Sequence, residues 1–239
     1  MDSSSQSATV ISIIPVLGVP EVKHGDDIAS LIVEHCEIKD YDVVVVTQKI
    51  VSKAEGRIQT LKEDDADGFT RLVEREAKRI LRRRGSLMIT ETQHGFICAN
   101  AGVDRSNTAI DTVVLLPIDP DRTARKIRAS LKRFTGKEVA VIITDTFGRV
   151  WRNGVTDVAI GICGLGAVLD LRGSKDANGR ELSATEICIA DEIAGAADLV
   201  KPKASNVPVV IVRGIQSGHF RESSIKEEVV RHPNADLFR

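Results

Sequence analysis

The feature that most restricts the fold is Val43-Val44-Val45-Val46, four apolar β-branched residues in a row. Four residues are too few for a helix, and a strand with one wet face would alternate apolar and polar side chains. The run therefore reads as a strand buried on both faces. Val139 to Thr144 reads as another strand and Val207 to Val212 as a further buried one. A chain of 239 residues is long enough to cover them, as one large domain or two modest ones.

Helices are expected around these strands. Asp64 to Arg84 predicts the clearest one, with Phe69, Leu72, Val73, Ala77, Ile80 and Leu81 on one stripe and Gly85 as its stop. Arg82-Arg83-Arg84 then reads as a solvated helix end, with an anion site as the alternative. Asp119-Pro120-Asp121 opens a helix that Gly136 closes, with Ala124, Ile127, Leu131 and Phe134 on its apolar face. Asp26 is a candidate N-cap for a helix carrying Ile28, Leu31, Ile32 and His35. Residues 184–199 predict an alanine-rich helix, and Ser224 to Glu227 fits a capping box. Further strands are expected at Ala8 to Pro15, 87–90, 95–99 and 112–116, with 155–160 and 167–171 extended. Residues 1–7 form a polar, frayed tail, and 8–239 form the domain, with room for two subdomains. Strands and helices do not alternate one for one, so the expected class is α+β, a mixed α/β fold with mixed sheets and flanking helices.

Charge and motif content exclude several functions. With 33 basic and 34 acidic residues and 3% aromatics, the chain is not built to coat nucleic acid. No apolar run is long enough for a membrane span, and no signal peptide is present, so the cytoplasm is the expected address. Cys36, Cys98, Cys163 and Cys188 are far apart among apolar neighbours and read as reduced thiols. The five histidines have no ligand spacing. There is no phosphate loop, GxSxG elbow or HExxH; Gly161 to Gly166 is glycine-rich but reads as close backbone packing.

Four polar segments after predicted elements carry the chemistry. In the first, Thr47-Gln48-Lys49 and Ser52 to Arg57 place lysines beyond a buried strand end, which suits an anion and equally an ordinary polar connection. In the second, Asn100 to Asn107, small residues admit a ligand near Asp104 and Asn107, or Asx hydrogen bonds stabilise a turn. In the third, Thr144 to Arg149 followed by Trp151 to Gly154, a carboxylate and hydroxyls form a hard-oxygen site for Mg²⁺ or Mn²⁺. Asp104 and Asp145 would share a metal that bridges nucleotide phosphates. Arg149 and Arg152, with His94, would hold an acidic substrate. The alternative is a capped turn followed by a surface ion pair. The fourth segment, Lys201-Pro202-Lys203-Ala204-Ser205-Asn206, is by itself only a loop.

Taken in order, these segments resemble the coenzyme F420-0:γ-glutamyl ligase family. Asn100-Ala101-Gly102-Val103-Asp104-Arg105-Ser106-Asn107 and Ile143-Thr144-Asp145-Thr146-Phe147-Gly148-Arg149 are its most specific stretches, and the likeness runs from about residue 12 to about residue 215. The resemblance implies a ligase fold with intertwined homodimers. It implies addition of L-glutamate to F420-0 with GTP as co-substrate, through an acyl phosphate, with extension to a γ-linked tail. It implies Mg²⁺ or Mn²⁺, two per site, with K⁺ as a further candidate. Asp104 and Asp145 then correspond to metal ligands, and Thr146 to a ligand of the second ion. Val19, Pro20, Glu21, Val22, Gln48, Lys49, Lys53 and Asn107 correspond to the nucleotide pocket, and 201–206 to the loop over it. That loop departs from relatives that carry glycines and an acidic residue there. Some relatives carry a flavin domain further on, which a chain ending at Arg239 is not expected to have. The competing readings are a ligase or kinase for another acidic cofactor, and a nucleotide-binding regulator without turnover.

Overall fold

The computed structural model describes residues 10–61, 65, 67–105, 111–201 and 206–238. A five-stranded sheet forms its centre: β1 (Ser12–Pro15), β2 (Val43–Thr47), β8 (Ala140–Arg149), β9 (Arg152–Cys163) and β12 (Val209–Arg213), in the order β1-β12-β2-β8-β9. Only β2 and β8 run parallel; every other pair in it is antiparallel. All four valines of β2 are fully buried, as are Ala140 to Ile143 and Val209 to Val212. The apolar runs thus form the middle of a covered sheet, where each buried side chain contributes about 1.5–3 kcal/mol.

Helices α1 (Ile28–His35), α4 (Pro120–Thr135) and α5 (Ile189–Asp198) cover the sheet, with α2 (Gln48–Ala54) continuing directly from β2. A smaller core lies under α3 (Gly68–Glu76), β5 (Leu87–Thr92) and β7 (Thr112–Val114). There β4 (Ala77–Arg84), β5 and β6 (Ile97–Ala99) form one sheet, and β3 (Ile58–Thr60) pairs with β7. The short pair β10 (Leu169–Asp170) and β11 (Glu186–Ile187) precedes α5. The chain is a mixed α/β protein, and no helix among the described residues is long and apolar enough to cross a membrane. The four cysteines are free thiols, Cys98 and Cys163 buried.

The α4 expectation matches closely. The Asp119 side chain accepts from Arg122 N at 2.9 Å, Pro120 opens the helix, and Gly136 ends it at φ +70°. Gly161 is a close-packing glycine: a Cβ there would stand 2.5 Å from the Pro120 carbonyl carbon. At α1 the cap is Asp27, which accepts from Ala29 N; Asp26 instead accepts from Lys23 N.

The helix expected from Asp64 to Arg84 is corrected. It stops at Glu76, and Ala77–Arg84 is a strand paired with β5 across a turn at Gly85. Only the first part of the apolar stripe finds a core: Leu72 and Val73 are buried, whereas Ile80 is exposed. Lys78 and Arg79 both reach the buried Glu91 of β5, at 2.9 and 3.0 Å. A continued helix would leave that carboxylate uncompensated. The expected helix at 184–199 is likewise shorter, because Glu186–Ile187 pairs as a strand. The strand expected to end at Thr144 is longer: β8 runs on to Arg149 and into a hairpin with β9.

Asp121 ties the C-terminal region to the sheet. Its carboxylate accepts from Ile162 N (2.8 Å), Ile225 N (3.1 Å), Lys226 N (3.2 Å) and Ser224 Oγ (2.8 Å). These bonds hold the N-terminus of α6 (Ile225–Glu228) against α4 and β9. Replacing Asp121 by Ala orphans several buried donors at about 1–3 kcal/mol each. We expect Asp121→Ala to lower the unfolding free energy by about 3 kcal/mol or more, read as an earlier urea midpoint with an unchanged slope.

Candidate active site

The register of β2 on β8 builds the site. Thr47 lies beside Thr144, so both strands run out at the same end. Beyond Thr47 the chain turns into α2, whose first turn carries Gln48 and Lys49. Beyond Thr144, β8 continues with Asp145 and Thr146. Asp104 arrives from the smaller core. It bridges Val114 through two backbone hydrogen bonds of 2.9 Å, and its carboxylate lies 3.0 Å from Lys49 Nζ.

The turn before Asp104 is strained. Asn100, Ala101 and Gly102 have φ of 50°, 55° and 70°. Left-handed backbone costs an ordinary residue about 1–2 kcal/mol. It is held by Asn100 Oδ1, which accepts from Met88 N at 2.9 Å, and by Ala101 N, which donates to Thr90 Oγ1 at 2.8 Å. A Cβ on Gly102 would stand 2.6 Å from Leu116. Strain retained this way fixes where the next carboxylate points.

Asp145 is half-buried. Burial pushes its carboxyl up to about 7, helped by the charges of Asp104 and Asp157; the Thr146 N–H and Lys49 oppose the shift. Burial, with Asp145 second, pushes the nearby Cys98 thiol up to about 12, which leaves it unreactive. Successive strand residues face opposite ways, so Asp145 and Phe147 share one face of β8 and Thr144 and Thr146 the other. On the first face, a cavity of about 260 Å³ is lined by Phe96, Phe147, Val158, Asp191, Val230 and Arg231, among others. On the second face lies Asp157, buried, opposite Thr146 in the register. Thr146 Oγ1 donates to Asp157 Oδ1 at 2.7 Å, and Thr144 Oγ1 and Lys201 Nζ approach Oδ2 at 3.1 and 2.6 Å.

The other expected residues distribute as follows. Gln48 is buried; its Oε1 accepts from Ser52 Oγ at 2.9 Å, and its Nε2 has no partner among the described residues. Lys53 pairs with Glu21, which brings Val19, Pro20, Glu21 and Val22 against α2. Arg149 and Arg152 face each other at the exposed tip of the β8–β9 hairpin, and Arg149 donates to Asn153 O at 3.2 Å. At about 3.3 Å per residue, Arg149 lies ~13 Å along the strand from Asp145, so the chain does not gather the arginines with the carboxylates. His94 ties loops together: its Nε2 meets Pro117 O at 2.8 Å, and its ring stacks on Phe96. Asn107, Pro202, Lys203, Ala204 and Ser205 lie outside the described residues; Asn206 is left-handed at φ 48°. Sequence reasoning missed Asp157. The available signal was an acidic residue directly before the apolar run Val158 to Cys163.

Among the described residues, no three His, Cys, Asp or Glu side chains converge into a metal cage. Asp104 and Asp145 instead offer carboxylate oxygens from two separate elements. That donor set suits a hard divalent ion whose remaining ligands come from phosphates and water.

The chain matches the family described as F420-0:Gamma-glutamyl ligase over residues 17–214. The chain belongs to this family. Within it, the chain is 42% identical over 249 residues to the coenzyme F420:L-glutamate ligase of Methanothermobacter thermautotrophicus, covering 96% of this chain and 99% of that protein. It is 41% identical to the protein of the same name from Methanopyrus kandleri, covering 96% and 98%. It is 37% identical to the one from Methanocaldococcus jannaschii, covering 93% and 95%. As a γ-glutamyl ligase family member, it keeps its two candidate metal carboxylates on the fixed backbone of a strand and a pinned turn.

The raised Asp145 carboxyl has a stability consequence. Its ordinary value is 3.8, and the fold lifts it to about 7. Between these values the native state holds a proton that the unfolded chain has lost, so stability falls as pH rises through this window. In metal-free protein, Asp145→Asn should therefore gain stability relative to the parent between pH 5 and pH 8, measured by paired thermal melts. A pH-independent difference would contradict the assigned shift.

Proposed function

We propose that this chain is a GTP-dependent ligase that joins L-glutamate to coenzyme F420-0 through an acyl phosphate, and that it extends the product by γ-linked glutamates. The observation that carries this reading is the meeting of Asp104, Lys49 and Asp145 at the shared end of β2 and β8 in a member of this family. The names of the relatives support the glutamate ligation to F420.

Asp104 and Asp145 would hold Mg²⁺ or Mn²⁺, which when bound neutralises the charge between nucleotide phosphate and acceptor carboxylate. The chain's own residues do the rest. Lys49, 3.0 Å from Asp104, pairs with that carboxylate and brings a cation to where the incoming phosphate would lie. Lys53 and Glu21 join α2 to the 19–22 segment, which together would wall the nucleotide. The Gln48 amide, without a partner among the described residues, offers a buried donor beside it. The cavity beside Phe147 gives the acceptor's ring system an apolar wall on the same face as Asp145. The acceptor carboxylate attacks the γ-phosphorus and GDP leaves. The glutamate amine then attacks the acyl carbon, phosphate leaves, and the amine proton passes to solvent. Two anions must be brought together at each step, so fixed cations and oriented donors carry the catalysis.

A homodimer belongs to the same proposal. Val150 and Trp151 at the tip of the β8–β9 hairpin are 69% and 87% exposed, and Val155 beside them is 55% exposed. An apolar tip of this kind suits burial against a second copy. Light scattering should return twice the 25.9 kDa chain mass.

The decisive experiment is mass-resolved product analysis with F420-0, L-glutamate, GTP and Mn²⁺ or Mg²⁺. A GTP-dependent gain of glutamyl units is expected. Asp104→Asn and Asp145→Asn should each lower the rate about 100-fold or more, above the 10–100-fold typical of groups that only support a metal ligand. Nucleotide binding without any product would favour the regulator reading.

A further inference from the structure

The family likeness implies two divalent ions, the second served by Thr146, and the geometry around Thr146 does not suit a second one. Asp145 and Thr146 are consecutive on β8 and face opposite sides, so an ion on the Thr146 hydroxyl stands apart from the Asp104–Asp145 pair. The carboxylate that Thr146 meets on that side is Asp157. Its oxygens already receive Thr146 Oγ1 at 2.7 Å, Thr144 Oγ1 at 3.1 Å and Lys201 Nζ at 2.6 Å. Three of its roughly four lone-pair positions are therefore used. Its charge is balanced by an ammonium that is itself buried, with side-chain exposures of 6% for Lys201 and 5% for Asp157. Lys201 Nζ also lies 3.3 Å from Thr144 Oγ1, which fixes the ammonium against β8. A dication on Thr146 would meet the charge of this ammonium, and Asp157, the carboxylate that Thr146 faces, is already compensated by it.

We propose that Lys201 is a built-in cation standing where a second divalent ion would need its counter-charge, so that this chain works with one divalent ion per active site, on Asp104 and Asp145. This rests on the metal reading under Proposed function. It makes Lys201 a positioning residue: it holds Asp157, and through it the two threonine hydroxyls that flank Asp145. It also assigns a use to the lysine with which the 201–206 segment begins.

The test is a count of bound metal on the full chain. Equilibrium dialysis against Mn²⁺ with a non-hydrolysable GTP analogue, followed by metal analysis, should give one Mn²⁺ per chain. Lys201→Gln keeps a donor for Asp157 and removes the charge; it should bind two. Lys201→Arg restores the charge and should return to one. Two ions on the unmodified chain would overturn the proposal. So would one ion on both the unmodified chain and Lys201→Gln. Should Lys201→Gln not fold, the count on the unmodified chain decides alone, one ion supporting the proposal and two overturning it. Asp104→Asn and Asp145→Asn should abolish the single ion. Mn²⁺ binding indifferent to both would instead remove the carboxylate site itself, and with it this proposal, by a separate signature.

Discussion

The parallel pairing of β2 with β8 is the constraint on which the rest depends. Both strands are buried on both faces, so neither can slide without exposing apolar surface or leaving ladder groups unpaired. Their fixed register brings two chain exits to one end, and only there does the sequence turn polar. Lys49 and Asp145 meet because Thr47 lies beside Thr144, although nearly a hundred residues separate them. Asp104 then needs only a short, rigid approach, which the left-handed turn at Asn100 to Gly102 supplies.

Two acidic residues on β8 and β9 show how environment divides identical chemistry. Asp157 is buried, and an ammonium and two hydroxyls meet its oxygens. Asp145 is also withdrawn from water, yet other carboxylates face it and its partners are too few, so its charged form is disfavoured. A protein selected only for stability would have paired or removed Asp145. Its retention in a poorly compensated place is what a waiting ligand site requires.

Much of this was legible in the sequence where the deciding forces are local. The α4 helix is bounded by its own Asp119 cap and Gly136, and the buried runs announce themselves by apolar length alone. Asp104 and Asp145, which motif order singles out, do come close enough to feel each other's charge. What escaped depends on partners far away in sequence. Ala77 to Arg84 has a helix-compatible pattern until Glu91, on another strand, claims Lys78 and Arg79. The extension of β8 past Thr144 escapes because its strand character comes from pairing with β9. The Asp157–Lys201 pair joins residues 44 apart, and no spacing rule reaches that far.

The sheet order also sets a sequence of events for a chain leaving the ribosome. β12 lies between β1 and β2, yet it is made after both of them. Until residue 213 has emerged, two apolar strands present open edges to each other and to the cell, with the piece that joins them still unmade. Templating by a neighbouring nascent chain competes with correct closure throughout that interval. The arrangement favours synthesis in which β12 follows promptly, and it makes the valine-rich strand one of the last parts of the molecule to be sealed from water.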